Sequence, residues 1–240
     1  VCENQLDLRT LGNKAIAEDL SKLFPYARIG RFDSENKKSS SFNELYESIK
    51  SGEFDILVGT QQIIKGLDLP SLRLVGILNA DLSLAFPDYT SDERTFQLTT
   101  QALGRAGRGH TRNSVVVIQT FQPQSPVLRF SIEEDWHSFN ELELDIRKKH
   151  RLPPFVHIAT VAFKHKNEEK AFAHALQYFG QIKTMKRIEA EGPIACFHRK
   201  KAGFFQVQII LKSSHRTAIL DAVQRAPKDA AIHLDAHSLL

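Results

Sequence analysis

The sequence predicts an α/β protein in two parts: a parallel sheet with helices on both faces over residues 1–151, then a smaller α+β domain over residues 152–240. Three observations carry this. Short apolar segments alternate with helix-length amphipathic ones through the first part, the pattern of parallel strands joined by crossover helices. The last part reads strand, helix, strand, strand, helix, strand, the split ferredoxin-like βαββαβ order. Charge also changes at the same place. Residues 1–150 hold 18 Lys and Arg against 21 Asp and Glu, whereas residues 151–240 hold 14 against 7, which makes the formal +4 of the chain a property of its last third. A basic terminal domain beside a slightly acidic one points to a polyanion contact in the former.

At 240 residues and 42% hydrophobic, the chain has enough apolar material for two small cores. No apolar run approaches the roughly 18 residues of a membrane span, so no membrane partner is expected. Val1-Cys-Glu-Asn4 is not a signal peptide and reads as a point inside a longer protein. Cys2 and Cys196 make no disulfide framework and fit a reducing cytoplasm, the expected location.

Taken in order, Leu6–Leu11 is a strand. Gly12-Asn13 opens a helix whose apolar stripe is Ile16, Leu20, Leu23 and Phe24, and Pro25 stops it. Ala27–Phe32 is a strand ending in Asp33-Ser34, and 36–41 is a polar loop. Ser41-Phe-Asn-Glu44 has the form of a capping box for a helix through Ile49. Phe54–Val58 is the next strand and ends in Gly59-Thr60, a hydroxyl and free amides at a strand's carboxyl end, where ligands gather in open α/β sheets. Gly66-Leu-Asp68 adds a turn and a carboxylate. Leu74–Leu78 is a second apolar strand, closed by Asn79-Ala-Asp81; Thr90–Ala106 is a polar helix; Ser114–Thr120 is a buried, β-branched last strand. Helices follow over 128–132 and 136–150, the second ending in Arg147-Lys-Lys-His-Arg151, cations suited to a helix C-terminus. Leu152-Pro-Pro-Phe155 is stiff and extended, and the domain boundary belongs there.

The terminal domain reads strand 156–163, helix 167–184, strand 186–191, strand 204–211, helix 214–225 and strand 230–235. Its middle strands are joined by a long loop, 192–203, carrying Arg199, Lys200 and Lys201 beside Phe197, with Phe204 and Phe205 following. Cations interleaved with aromatics suit phosphate contact plus base stacking. The plain alternative is a solvated loop with Phe204 in the core.

The strongest chemical signal is Gln101-Ala-Leu-Gly-Arg-Ala-Gly-Arg108. Arg105 and Arg108, three apart, share one helix face. They repel unless an anion with several oxygens sits between them, such as a phosphoryl group. Alone, such a pair could equally be a solvated basic turn. Gly59-Thr-Gln-Gln-Ile-Ile-Lys-Gly-Leu-Asp-Leu-Pro70 lies forty residues earlier, and the two stretches resemble motifs V and VI of the second motor lobe of superfamily 2 helicases. Asn79-Ala-Asp81, Pro87-Asp88-Tyr89 and Glu93-Arg94 fill the interval, so the resemblance runs from about Gly59 to Gly109 and is to the replication-restart helicases, the PriA family. Leu67, Leu69 and Leu103 depart from the usual pattern and bear on packing alone.

That resemblance implies a RecA-like second helicase lobe followed by a basic DNA-binding domain, in an ATP-dependent DNA helicase that acts at stalled or branched forks in replication restart and primosome assembly. It implies that Arg108 is an arginine finger, Arg105 its companion, Gln101 the residue that orients water or touches phosphate, and Gly66 and Asp68 the nucleotide side, with Asp68 facing the ribose or paired with a motif arginine. It places Thr60, with Arg199, Lys200 and Lys201, on DNA. ATP and Mg would be shared with a first lobe of the same protein. Zn would belong to the full-length protein, with Cys2 where the last ligand of an upstream site would be. Implied partners are single-stranded or forked DNA, the first lobe, and single-strand-binding and primosome proteins. No G-x-x-x-x-G-K-[ST] phosphate loop occurs, so the chain alone is expected to lack ATPase activity. Two readings stay open beside this one: a non-enzymatic nucleic-acid-binding module, and another superfamily 2 translocase.

Overall fold

The computed structural model describes residues 12–32, 42–61, 63, 72–106 and 114–239. They form two compact units: the described residues of 1–78 and 98–119, and the described residues of 79–97 and 120–240. The division differs from the boundary drawn at residue 151, because 79–97 and 120–151 are grouped with the terminal domain.

In the first unit, helix α1 (Asn13–Leu23) packs beside strand β1 (Ile29–Phe32). Strand β2 (Ile56–Gly59) pairs parallel with β1, from Ile29 opposite Ile56 to Phe32 opposite Gly59. Asp55 locks the start of this ladder. Its carboxylate accepts from Arg28 Nη2 at 2.8 Å, Nε at 3.0 Å and the Arg28 backbone N–H at 2.9 Å. Gly59 is required at the ladder's end, where a Cβ would lie 2.5 Å from the Phe32 carbonyl oxygen. Helix α2 (Phe42–Lys50) connects the two strands, as the capping pattern predicts, although that pattern itself lies outside the described side chains. Strands β3 (Leu74–Ile77) and β4 (Val115–Ile118) form a second two-stranded parallel ladder.

The expectation of a buried last strand needs correction. Exposure alternates along β3 and β4, and Val115 and Val117 are each 53% exposed. Among the described residues only one face of this ladder is covered, so an apolar run that reads as buried on both sides has a period-2 burial pattern instead. The expected strand over 6–11 lies outside the described residues.

The second unit begins with the short helix α3 (Asp81–Leu84) and the start of helix α4 (Ser91–Ala106), and continues with α5 (Pro126–Ile132) and α6 (Trp136–Lys149). The Asp135 carboxylate caps α6, accepting from the Ser138 N–H at 3.0 Å. Next come β5 (His157–His165), α7 (Glu168–Ile182), β6 (Glu189–Lys201), β7 (Phe204–Ser213), α8 (Arg216–Val223) and β8 (Ala231–Leu234). The sheet order is β6-β7-β5-β8, antiparallel throughout, the arrangement the βαββαβ order predicts. Its core follows from two periods. Ala159, Val161 and Phe163 of β5 and Val207, Ile209 and Leu211 of β7 alternate inward, and Ala171, Ala175, Tyr178 and Ile182 form one stripe of α7 against them. Tyr178 donates its hydroxyl to the Ala222 carbonyl at 2.9 Å, and burial pushes its phenol up to about 12.

Two further expectations are corrected here. Residues 192–203 are not a loop. Strand β6 runs to Lys201, irregular between Glu191 and Ile194 and between Ala195 and Lys200. It turns on Ala202-Gly203 alone, whose positive φ values of 50° and 84° are those of a two-residue hairpin turn. The 152–155 segment is a turn rather than extended, with the Phe155 N–H donating to the Leu152 carbonyl at 3.0 Å.

Candidate functional site

Helix α4 presents its two described motif residues on one side. Thr95, Thr99, Ala102 and Ala106 form its buried stripe at i, i+4, i+7, i+11. Gln101 and Arg105 are four apart and so share a face beside that stripe; Gln101 is exposed and Arg105 half-buried. Thr60 lies in the same unit at the carboxyl end of β2. It is exposed, and its carbonyl accepts the Ile63 N–H at 3.0 Å, which turns the chain immediately after the strand. Helix α4 supplies an amide and a guanidinium on one face, and β2 a hydroxyl at a strand end, donors suited to phosphate oxygens. Arg108, Gly66, Asp68 and Cys2 lie outside the described residues.

The residues between the two motifs are joinery. The Asp81 carboxylate accepts from the Thr120 hydroxyl at 2.9 Å and the Phe121 N–H at 2.9 Å. Burial works against its charge, but these bonds prevail and hold it below the usual carboxylate range. Tyr89 donates its hydroxyl to the Ala236 carbonyl at 2.7 Å, and Arg94 Nη2 donates to the His237 carbonyl at 3.3 Å. Glu93 binds Arg147 Nη2 at 2.7 Å, and Arg147 Nε reaches Glu143 at 2.6 Å. The Arg147 guanidinium also sits 5.5 Å from the Tyr89 ring centroid. Arg147 stands in the last turn of α6, as the helix-end run of cations predicts, but its side chain is 12% exposed and engaged by carboxylates. Burial opposes its charge, yet the bonds to Glu93 and Glu143 raise its pKa, while burial raises that of Glu143. The sequence held one signal for this, the i, i+4 spacing of Glu143 and Arg147.

At the hairpin tip of the terminal domain the three cations are not equivalent. Arg199 is forked onto Glu168, Nε and Nη2 each 2.7 Å from a carboxylate oxygen. That contact lowers the Glu168 carboxyl and raises Arg199. Lys200 Nζ lies 4.9 Å from the Phe205 ring centroid, and Lys201 is exposed opposite Phe204 in the ladder. Phe197 is half exposed, with its ring 5.4 Å from that of Phe86 and 5.3 Å from that of His198. Cations and aromatic rings therefore share this edge as expected. Arg199, however, already has an anion.

Among the described residues no group of three or more His, Cys, Asp or Glu side chains could hold a metal ion. Cys196 is half-buried, which pushes its thiol up. Among the same residues no helix is long and apolar enough to cross a membrane.

Two family models match the chain. Residues 10–110 match the helicase conserved C-terminal domain, and residues 148–238 match the primosomal protein N C-terminal domain. Curated relatives include the replication restart protein PriA of Thermotoga maritima, 36% identical over 99% of this chain and 32% of that protein. The proteins of the same name from Borreliella burgdorferi and Bacillus subtilis are 34% and 33% identical, over 88% and 87% of this chain and 32% and 26% of theirs. The chain thus spans about a third of the length of the curated relatives it matches.

Proposed function

We propose that the chain belongs to the PriA family, whose curated members it matches over most of its own length, and that it supplies the second motor lobe and a DNA-contacting terminal domain to an ATP-driven DNA helicase acting at stalled or branched forks. In this reading the carboxyl end of α4 faces the nucleotide. Arg108 and Arg105 stabilise charge developing on the γ-phosphoryl group, and Gln101 orients the attacking water or holds a phosphate oxygen. Gly66 and Asp68 lie toward the nucleotide, and Thr60 donates to a DNA phosphate, so that grip on the strand answers to nucleotide state. The phosphate loop and the magnesium carboxylate come from a first lobe, and Cys2 contributes to a zinc site completed by residues before Val1. Single-strand-binding and primosome proteins are the expected partners at the fork, in the cytoplasm.

The observation that carries the reading is the joint presentation of Gln101 and Arg105 on one face of α4, in the unit where Thr60 ends a parallel strand. Arg108→Ala in the full-length protein tests it. An arginine so placed supplies about 10³–10⁵ in rate, so DNA-stimulated ATP hydrolysis should fall by at least ~10³ while DNA affinity stays within about twofold. Normal turnover in that variant would return the motif to a solvated basic turn. The 240-residue chain by itself should show no turnover above a buffer blank.

A further inference from the structure

Phe86, which the motif pattern does not single out, meets Phe197 of the hairpin strand. Their ring centroids are 5.4 Å apart at a tilt of 59°, and the His198 ring stands edge-on to Phe197 at 5.3 Å. Phe86 precedes α4 and Phe197 lies in β6, and both belong to the second compact unit. Phe86 is 41% exposed and Phe197 50%, so two large rings in contact keep much of their apolar surface in water. Scattered single apolar side chains are ordinary on a surface, whereas contiguous ones mark a place where something binds.

Backbone features set both rings. Between Ala195 opposite Val207 and Lys200 opposite Phe205, β6 has four residues where β7 has one, Gln206. A bulge of this kind re-aims side chains out of the ladder's alternation, and these four residues include Phe197 and His198. On the other side, the Phe86 carbonyl accepts from the buried Ser91 hydroxyl at 2.7 Å and from the Asp88 N–H at 2.7 Å. Tyr89 fastens the same turn to the Ala236 carbonyl just beyond β8, at 2.7 Å. The rings are thus in place before anything binds, and a ligand on them has little chain to order.

The neighbouring charges indicate the ligand. Lys200 and Lys201 follow on the same strand, Lys201 exposed, while Arg199 is taken up by Glu168. Flat rings beside ammonium groups match a flat, stackable group carried on an anionic chain, which is a nucleobase on its phosphate backbone. We propose that Phe86 and Phe197 form a stacking platform for an unpaired base of a single strand whose phosphates run to Lys200 and Lys201. This rests on the reading of the terminal domain as a DNA contact. Every base has a face to stack, so the platform tolerates any sequence, and it disfavours duplex, whose base faces are already covered by their neighbours.

The test uses the full-length protein and a single strand carrying 5-iododeoxyuridine, which on long-wavelength irradiation links to a side chain stacked against it. Linked residues are mapped by mass spectrometry, with the same base inside a blunt duplex as control. Affinity for the unmodified strand is measured over a salt series, beside melting temperature, for Phe86→Leu, Phe197→Leu, Phe86→Tyr and Lys200→Ala/Lys201→Ala. Links should form at Phe86 or Phe197 on the single strand and not on the duplex. Each leucine variant should lose about 5- to 150-fold in affinity, the span of one stacked base, at an unchanged salt slope because no cation is removed. Phe86→Tyr keeps the ring and should keep the affinity. A folded Phe86→Leu variant with wild-type affinity overturns the proposal and leaves the rings as packing or a protein contact; links confined to other segments overturn it too. If a leucine variant does not fold, the wild-type map of links decides. Wild-type protein that binds no single strand defeats the DNA-contact reading and this proposal with it. A slope lowered by the double lysine variant, with neither leucine variant weakened, leaves that reading standing and overturns this proposal alone.

Discussion

The β6–β7 hairpin tip allows a prediction in which the structure changes the number. Neutralising one phosphate contributes about 0.7 to the slope of log K against log salt on single strands and about 0.9 on duplex. Three equivalent cations would therefore contribute roughly two to three units. Arg199, however, spends both arms of its fork on Glu168 at 2.7 Å, so its charge is already compensated. Lys200 keeps an ammonium near the Phe205 ring, and Lys201 is exposed. Lys200→Ala/Lys201→Ala should thus lower the slope by about 1.4 on a single strand, and Arg199→Ala should lower it by much less. Glu168→Gln releases the guanidinium and should raise the slope by about 0.7. Phe197→Ala, at a half-exposed ring, should shift the intercept and leave the slope alone, with a loss of about 1–3 kcal/mol if a base stacks on it. The assay is a salt titration of a fluorescent single strand with the 240-residue chain and each variant. Native and double-lysine slopes that coincide would refute a phosphate contact at this tip. An Arg199→Ala effect as large as that of either lysine would refute the idea that Glu168 occupies it.

Two other outcomes follow from the packing. The bonds from the Arg28 guanidinium, then that from its backbone N–H, hold Asp55 down at about 2. A folded pKa below the unfolded value of about 3.9 gives stability that is present above that value and lost as pH falls toward 2; Asp55→Asn should therefore flatten the acid limb of the first unit's melting profile below about pH 4, and an unchanged limb would exclude the pair as its source. Phe96 is fully buried, stacked 4.0 Å from the Phe139 ring and edge-on 4.6 Å from the chain's single tryptophan, Trp136. Phe96→Ala should cost about 3–5 kcal/mol in denaturant melts followed by that tryptophan, and a loss under about 1 kcal/mol would mean the cluster collapses around the gap.

Much of the architecture was written in local periods. The α7 stripe, the alternation of β5 and β7, the βαββαβ order and the polar α4 are visible as spacings of apolar residues, because burying one face of a helix or strand imposes that spacing wherever the element sits. Gln101, Arg105 and Thr60 were singled out by residue type and interval alone, and the structure adds where they stand: the first two on one face of α4 and Thr60 at the end of β2. The 192–203 stretch was misread because Arg199-Lys-Lys201 looks like a solvated loop. It is a strand only because β7 lies alongside and pairs Lys200 with Phe205 and Lys201 with Phe204. The apolar run 115–118 misled in the other direction, since no local pattern tells a strand covered on two faces from one covered on one.

What the sequence by itself determined was therefore the kind and order of elements and the chemical groups they carry. What only the tertiary structure decided was which charges are engaged. The i, i+4 spacing from Glu143 does not single out Arg147, because Lys149 has the same spacing from Asp145, and Arg199 looks no different in sequence from Lys200. Their roles depend on Glu93, 54 residues away, and Glu168, 31 residues away. A carboxylate at that separation leaves no local spacing to read, and it selects one cation from a run by coming within 2.7 Å of its fork.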